Sequence, residues 1–170
     1  MLLNHVLYSS GVGGARRPAM QAGRHMDIYT IGFTRRSASD FFGALRQAGI
    51  KRLLDVRLNN SSQLAAFTKR DDLPFFLREI CGAEYRHELL LAPTQEMLDA
   101  YKKEKGSWAD YERRFLALLA ERRVEDRIDP ELFAVRTVLL CSETTPEYCH
   151  RRLVCEYLAG AWGAMTAIHL

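Results

Sequence analysis

Strand-like and helix-like segments alternate along this chain from Asp27 onward. Short apolar runs bounded by turn residues predict strands, and longer segments with apolar residues every three or four positions predict helices. The predicted strands are, in chain order, 27–33, 50–57, 83–89, 136–141 and 164–170. Strands that alternate with helices favour a mostly parallel sheet covered on both faces. We therefore expect an α/β fold: a single three-layer domain with a mostly parallel central sheet and helices on both faces.

Capping and stop signals place the helices between those strands. The predicted helices are 37–48, 72–81, 94–105, 107–123 and 146–161. Ser37 followed by Asp40 has the spacing of a capping box and predicts the start of the first helix, and Ser107 followed by Asp110 does the same for the fourth. Thr145 followed by Pro146 has the form of an N-cap with proline at the first helical position, so it predicts that the last helix starts there.

Length and composition are those of one globular domain. The 170 residues, 48% of them hydrophobic and 26% charged, are enough to bury a core without disulfides or metals. Residues 1–25 differ from the remainder, because they include no acidic residue and are rich in glycine, serine and arginine. We expect them to form a loose extension ahead of a single domain over 26–170; a transit peptide is the alternative.

Charge, hydropathy and cysteine content limit the expected partners and cellular compartment of the protein. The formal net charge of +3 is too small to argue for nucleic-acid binding by itself. No apolar run approaches the length that crosses a bilayer, so we expect no membrane partner. The four cysteines follow nothing that reads as a cleavable signal peptide. We therefore expect a cytoplasmic protein whose thiols are free.

The junction between the fourth strand and the last helix concentrates reactive side chains. Cys141 ends the strand, Glu143 lies in the turn that follows, and then come Cys149, His150 and Arg151. Ligands of α/β folds bind beyond the carboxyl ends of the strands and at helix N-termini. The sequence therefore predicts a functional site at this junction. The first four of these residues are its catalytic candidates, and Arg151 is an anion-binding candidate.

A purely structural interpretation of the same residues stays open. His150 is expected to point toward the sheet, where a buried histidine typically bonds a backbone carbonyl. Cys141 is either a nucleophile with a lowered pKa or a plain buried cysteine. A zinc site that adds Cys149 and Cys155 to these two residues is disfavoured, because adjacent cysteine and histidine side chains diverge on a helix. We predict no metal and no cofactor, and we expect neither Cys81 nor Cys155 to react.

Two more predicted strand ends face the same edge of the sheet. Asp55 ends the second strand, and Arg57 follows two positions later on the same side. They are either an ion pair that shapes the loop or a catalytic acid beside an anion-binding cation. The turn after the first strand carries a glycine, hydroxyls and arginines that suit a phosphate cradle, although it matches no nucleotide-binding fingerprint. Its anion-binding candidates are Gly32, Thr34, Arg36 and Ser37.

Four segments together resemble one protein family. They are IYTIGFTRRS (28–37), LLDVRLNNSSQLAAFTK (53–69), LLLAPTQEMLDAYKKEKGSWADYERRF (89–115) and LLCSETTPEYCHRRLVCEYL (139–158). The last is the most specific, because Cys-x-Glu follows a strand and Cys-His-Arg-Arg enters a helix. From Asp27 to Leu170 the chain resembles the domain of unknown function 488 family, a set of small α/β proteins. The family's recurring polar positions fall on Gly32, Arg36, Ser37, Asp55, Arg57, Cys141, Glu143, Cys149, His150 and Arg151.

The resemblance implies a fold and a place for the site, and it implies no activity. Many relatives have histidine where this chain has Phe33, and a Pro-x-Ser-Arg turn where it has residues 60–63. If those side chains touch the substrate in the relatives, the ligand of this protein differs from theirs.

Three functional hypotheses follow from the candidate residues. The first is an enzyme acting on an anionic, phosphate-bearing small molecule such as a nucleotide. In it, the anion is held by Arg36, Arg57 and Arg151, protons are moved by Asp55, Glu143 or His150, and the nucleophile is Cys141 or Cys149. The second is a nucleic-acid-binding or processing module, in which arginine pairs track phosphates and Trp108 and Tyr111 stack bases. The third is a thiol redox protein that uses Cys141 and Cys149.

Overall fold

The computed structural model describes residues 25–61, 66–163 and 165–170. The strands are β1 Met26–Gly32, β2 Arg52–Asp55, β3 Glu84–His87, β4 Thr137–Cys141 and β5 Met165–His169. They form one parallel sheet in the order β3-β2-β4-β1-β5, and each overlaps a predicted strand. Residues 1–24, and with them nearly all of the predicted extension, lie outside the described residues, as do residues 62–65 and 164.

Within the described residues, six α-helices connect the strands: α1 Ala38–Gln47, α2 Leu73–Phe76, α3 Gln95–Lys102, α4 Trp108–Glu121, α5 Val124–Arg127 and α6 His150–Trp162. The second of them continues into a π-helical turn, Leu77–Cys81. Ser37 and Ser107 accept hydrogen bonds from the backbone N–H groups of Asp40 and Asp110, so both predicted helix starts are confirmed. None of these helices has the length and apolar character needed to cross a membrane.

The helices form two layers, one on each face of the sheet. α1 and α2 cover one face, where Phe41 and Leu73 join the core that includes Leu53. The helices α3 to α6 cover the other face, where Phe115 joins the core that includes Leu54. Consecutive residues of β2 thus face opposite layers, as the period of two in a strand requires. The predicted three-layer α/β fold is confirmed.

The last helix starts later than the sequence predicts. α6 begins at His150, and Cys149 is its N-cap with extended backbone angles (φ −137°, ψ 135°). The Cys149 N–H bonds to the Pro146 carbonyl, so residues 146–149 close a separate turn before the helix. The prediction of a helix from Pro146 is therefore wrong, because the extended backbone at Cys149 interrupts the helical path.

Cys155 is buried on α6. It is 2% exposed and belongs to the core on the α3–α6 side. α6 packs against α4 and α5 as well as against β4 and β1. Its buried face is therefore wider than a helix lying on a sheet alone would need.

The carboxyl ends of β1, β2 and β4 meet at one edge of the sheet. Gly32 at the end of β1 pairs with Cys141 at the end of β4, and Asp55 pairs with Leu140. The turn after β4 then crosses the end of β1, where the Glu143 carbonyl oxygen lies 1.7 Å from the position of a Cβ on Gly32. Only glycine leaves room for this crossing, which directs the chain back toward α6.

We expect Gly32→Ala to destabilise the protein, because the added methyl group would collide with the Glu143 carbonyl. Overpacking of this kind costs about 1–3 kcal/mol and more where backbone must move. Gly43→Ala in α1 is the matched control, since no atom of the described residues lies within 4 Å of an added Cβ there. Alanine is favoured over glycine inside a helix by about 1 kcal/mol. In urea unfolding we therefore expect the midpoint to fall for Gly32→Ala and to rise for Gly43→Ala. Equal shifts would contradict the close crossing at Gly32.

Candidate functional site

A cleft of about 150 Å³ opens at this edge of the sheet, beside the end of β4, the start of α6 and the helices α3 and α4. Its floor carries Cys141, Cys149 and His150, which are all buried. Its walls include Arg57, Tyr101, Lys102, Trp108, Glu143 and Tyr148. The structure thus brings together four of the five predicted catalytic residues, and Asp55 is the one that does not line the cleft.

His150 connects the floor of the cleft to the sheet. Its Nδ1 atom lies 3.5 Å from the Cys141 sulfur, and its Nε2 atom lies 2.8 Å from the Val56 carbonyl oxygen. Because a carbonyl oxygen can only accept, Nε2 carries a proton and Nδ1 faces the sulfur. The Phe115 ring packs edge-to-face on the imidazole, with centroids 5.5 Å apart. The carbonyl partner expected of a buried histidine is present, and the same bond orients the ring toward a thiol.

The three buried residues on the floor of the cleft alter one another's ionisation. They are Cys141, Cys149 and His150, here called the Cys–His cluster. Burial opposes ionisation of the Cys141 thiol. The pKa of Cys141 nevertheless lies well below that of an ordinary thiol, because its sulfur accepts hydrogen bonds from Cys149, His150 and the Glu143 N–H and lies beside the His150 charge. Burial also opposes an imidazolium, but the charge and hydrogen bond of Cys141 raise the pKa of His150. Burial, and then the neighbouring Cys141, raise the pKa of Cys149 well above its usual value. These shifts favour a thiolate at Cys141, an imidazolium at His150 and a protonated thiol at Cys149.

Arg151 lies behind Cys149 and is almost completely buried (2% exposed). Its Nη1 donates to the Glu143 carbonyl at 2.7 Å and to the Cys149 sulfur at 3.3 Å, and its Nη2 donates to the Thr144 carbonyl at 3.5 Å. Its Nε has no hydrogen-bond partner among the described residues. The guanidinium therefore holds the turn and places a positive charge beside the cluster, without itself lining the cleft.

Aromatic side chains form one wall of the cleft. This aromatic wall consists of Tyr101, Trp108, Tyr111 and Tyr148. Trp108 stacks on Tyr111, with ring centroids 5.2 Å apart. Tyr101 and Tyr148 both meet Trp108 edge-to-face, at 5.7 Å. Tyr148 is 60% exposed and lies at the mouth, so a flat ligand ring can reach the wall from solvent.

Among the described residues that line the cleft, Lys102 is the accessible cation. Its side chain is 52% exposed, whereas that of Arg57 is 5% exposed. The Lys102 ammonium donates to the Glu143 carboxylate at 2.7 Å. Partial burial works against its charge, but the hydrogen bond and charge of Glu143 raise the pKa of Lys102. The pair thus places a stable cation and a carboxylate beside the Cys–His cluster.

Asp55 and Arg57 form a buried ion pair at the end of β2. The Arg57 Nη2 and Nε atoms lie 2.6 Å and 2.7 Å from the two Asp55 carboxylate oxygens. Tyr85 donates to the same carboxylate at 2.8 Å, and Arg57 also donates to the Thr68 carbonyl. Asp55 shares the strand face of Leu53, which points to the α1–α2 layer. Its carboxylate is therefore on the opposite side of the sheet from the Cys–His cluster.

The predicted phosphate cradle after β1 does not line the cleft. Gly32 accommodates the crossing turn, and the Thr34 backbone bonds that turn through both its N–H and its carbonyl. Arg36 donates to the carbonyl of Leu170 at 2.6 Å, and Ser37 caps α1. These four residues position the end of β1 and the start of α1 next to the site.

Sequence reasoning missed Lys102, Tyr101 and Tyr148 as site residues. Tyr101 and Lys102 begin the charged run YKKEK, which the sequence alone presents as a solvated helix end. They reach the cleft because the last turn of α3 lies over the carboxyl edge of the sheet. From the sequence, Trp108 is expected to act only in a nucleic-acid module. In the sequence, Trp108 and Tyr148 are each an aromatic residue beside a loop, and this pattern is too common to mark a site by itself.

The Cys–His cluster has the composition of a metal site. Its two sulfurs and one ring nitrogen lie within 4.8 Å of one another. From the sequence, Cys149 and His150 are both expected to lie on a helix, where their side chains would diverge. Cys149 is instead an extended N-cap, so the two adjacent side chains converge on Cys141. Cys155, the fourth residue of the disfavoured zinc site, lies in the core outside the cluster.

We expect Asp55→Asn to lower the free energy of unfolding by about 3 kcal/mol, because it leaves the buried Arg57 cation without its counter-charge. Glu84→Gln is the matched control: its ion pair with Arg52 is on the surface, where Glu84 is 72% exposed. Loss of such a surface pair costs less than about 1 kcal/mol. Urea unfolding compares the two variants, and equal effects would show that the buried pair does not stabilise the fold.

We expect Cys141 to be alkylated by iodoacetamide well below the pH at which ordinary thiols react, because its lowered pKa keeps it a thiolate there. The rate falls only as the pH drops through that lowered pKa. His150→Gln removes the charge and leaves burial, which raises the pKa of Cys141; each unit of rise lowers the thiolate fraction about tenfold.

Peptide mass spectrometry of metal-free protein gives the rate at each cysteine. Cys155 is the internal control, because burial and then Glu156 raise its pKa to about 12, so it stays unmodified at neutral pH. Identical pH profiles for the original protein and a folded His150→Gln variant would rule out the thiolate–imidazolium pair.

Comparison with known proteins adds a family to this geometry. No curated protein and no solved structure shows significant similarity to the chain. The profile of the family described as "Domain of unknown function DUF488" matches residues 37–158, well over half of the chain. The matched range includes the Cys–His cluster, the Asp55–Arg57 pair and the aromatic wall. The chain therefore belongs to the DUF488 family.

Proposed function

We propose that the protein is an enzyme acting on a small anionic molecule that carries a flat ring, such as a nucleotide, and that Cys141 is its nucleophile. The observation that carries this proposal is the 3.5 Å contact between the Cys141 sulfur and His150 Nδ1 at the floor of the cleft. A thiol attacks efficiently as a thiolate, and an adjacent imidazole is a usual means of forming one. Cys149 is the weaker candidate, because its raised pKa keeps it protonated.

The proposed chemistry is a displacement followed by hydrolysis. The Cys141 thiolate forms a bond to the electrophilic atom of the substrate, and the bond from that atom to its leaving group breaks. The leaving group takes the proton that His150 carries. Water then attacks the covalent intermediate, its proton passes to His150, and the thiolate leaves as the second product is released. The N-terminus of α6, which starts at His150, favours the negative charge that develops in both steps.

Lys102 and the aromatic wall supply recognition in this proposal. A phosphate or carboxylate of the substrate takes the place of Glu143 as the partner of Lys102, with a charge-assisted hydrogen bond. The ring of the substrate packs on Trp108 and Tyr148, and such stacking is worth about 1–3 kcal/mol per base. Of the three expected anion clamps, Arg36 and Arg151 bond backbone carbonyls outside the cleft lining, and Arg57 is buried in its pair with Asp55. Lys102 therefore takes over their role.

The two alternative functions draw less support from the geometry. Several of the arginines that would track nucleic-acid phosphates form ion pairs within the fold: Arg113 and Arg114 with Asp110, Arg123 with Asp126, and Arg152 with Glu112 and Glu156. A thiol redox function is the better second candidate, because the Cys141 and Cys149 sulfurs lie within 4.8 Å of each other. It makes no use of the aromatic wall or of Lys102.

The test is a screen of the purified full-length chain against nucleotides and simple phosphoesters, by product formation and by thermal shift. We expect conversion of ring-bearing anions and a rise in melting temperature with them, because ligand that binds only the folded state stabilises it. Cys141→Ser keeps the thermal shift and loses at least about 1,000-fold in kcat, as expected for loss of the nucleophile of a catalytic set.

Lys102→Ala raises KM for the same substrates because it removes the accessible cation. Lys103→Ala is its matched control: Lys103 is the next residue, pairs with Asp99 and does not line the cleft. The absence of both conversion and thermal shift across the panel would reject the proposal, as would full activity in Cys141→Ser.

A further inference from the structure

We propose that the Cys–His cluster is also a zinc site, in which Cys141, Cys149 and His150 hold one Zn²⁺ ion through their two sulfurs and Nδ1. Zinc sites with three protein ligands and one open position include the two-cysteine, one-histidine type. Soft sulfurs with an imidazole select zinc over magnesium and calcium, which prefer oxygen ligands. The binding stands independently of the proposed function, and only its effect on turnover rests on that function.

The spacing of the three ligand atoms fits a tetrahedral ion. With Zn–S bonds of about 2.3 Å and a Zn–N bond of about 2.0–2.1 Å, tetrahedral angles separate sulfur from nitrogen by about 3.6 Å and the two sulfurs by about 3.8 Å. The Cys141 sulfur and His150 Nδ1 are 3.5 Å apart, and the Cys149 sulfur completes a set whose members all lie within 4.8 Å. The observed spacing is therefore close to that of a tetrahedral site.

The groups around the cluster are those that support metal ligands. His150 Nε2 donates to the Val56 carbonyl at 2.8 Å, which fixes the ring and leaves Nδ1 for the metal. Arg151 donates to the Cys149 sulfur at 3.3 Å, and the Glu143 N–H bonds the Cys141 sulfur. Two thiolates cancel the charge of Zn²⁺, so the ion and its three ligands together carry no net charge, which reduces the cost of burying the ion.

Zinc and covalent catalysis exclude each other at this cluster. Binding of the ion displaces the proton of Cys149 and the proton shared by Cys141 and His150, so two protons are released per ion. The Cys141 sulfur then bonds the metal and is no longer free to attack a substrate. All three ligands line the cleft, so the fourth position of the ion faces it and takes water or a ligand atom. Zinc is thus an inhibitor of the thiolate chemistry proposed above.

The test titrates Zn²⁺ into the reduced, metal-stripped full chain in competition with a chromophoric zinc chelator. We expect one equivalent to bind with Kd below about 1 μM. Cys149→Ser should weaken binding by at least about 100-fold, since even the outer hydrogen-bond partners of a metal ligand contribute up to that factor. Cys81→Ser is the matched control, because Cys81 is a free thiol outside the cluster, and it should bind zinc like the original protein.

Cobalt(II) in place of zinc gives a readout that needs neither a variant nor turnover. Two thiolate ligands produce sulfur-to-cobalt charge-transfer absorption, and tetrahedral geometry produces intense visible bands. A cobalt spectrum without thiolate absorption, no zinc binding, or equal binding in a folded Cys149→Ser variant would overturn the proposal. Protection of Cys141 from iodoacetamide by one equivalent of zinc would support it. A failed substrate screen would reject the proposed enzyme function and would change none of these zinc and cobalt results. The two proposals are therefore tested separately.

Discussion

The guanidinium of Arg151 holds the turn between β4 and α6 in the shape on which the site depends. It is 2% exposed and donates to the Glu143 and Thr144 carbonyls and to the Cys149 sulfur. A buried cation costs free energy unless hydrogen bonds replace its water, so these bonds fix both the side chain and the turn. Gly32 gives the turn its path over β1. Together they return the chain so that Cys149 and the start of α6 lie beside Cys141.

The pleat of β2 separates two polar networks that the linear sequence presents as one. Val56 accepts the His150 hydrogen bond through its carbonyl, on the side of the Cys–His cluster. The carboxylate of Asp55, one residue earlier, points to the other face and binds Arg57 and Tyr85. The first network carries the reactive groups, and the second stabilises the loop that borders the cleft. Asp55 and Val56 are neighbours in the chain, but their two polar networks lie on opposite faces of the sheet.

One geometrical fact underlies both proposals for the cluster: His150 Nδ1 faces the sulfur of Cys141 because Nε2 is bound to the sheet. A proton between nitrogen and sulfur makes a thiolate–imidazolium pair, and a metal ion between them makes a coordinated site. Cys149 serves either state, as a hydrogen-bond donor in the first and as a ligand in the second. The aromatic wall and Lys102 add recognition of a flat anion, which neither state of the cluster provides by itself.

The sequence by itself determined the alternation of strands and helices, the serine caps of α1 and α4, and the convergence of strand ends at Cys141 and Asp55. These features depend on periodicity and on hydrogen bonds between near neighbours, which local sequence encodes. Only the tertiary structure decided where α6 begins, which face Asp55 points to, and that the last turn of α3 brings Lys102 and Tyr101 into the cleft. Those outcomes depend on packing between distant segments: the crossing at Gly32, the buried Arg151 and the helix layer over the sheet. No short stretch of the chain contains both partners of such contacts.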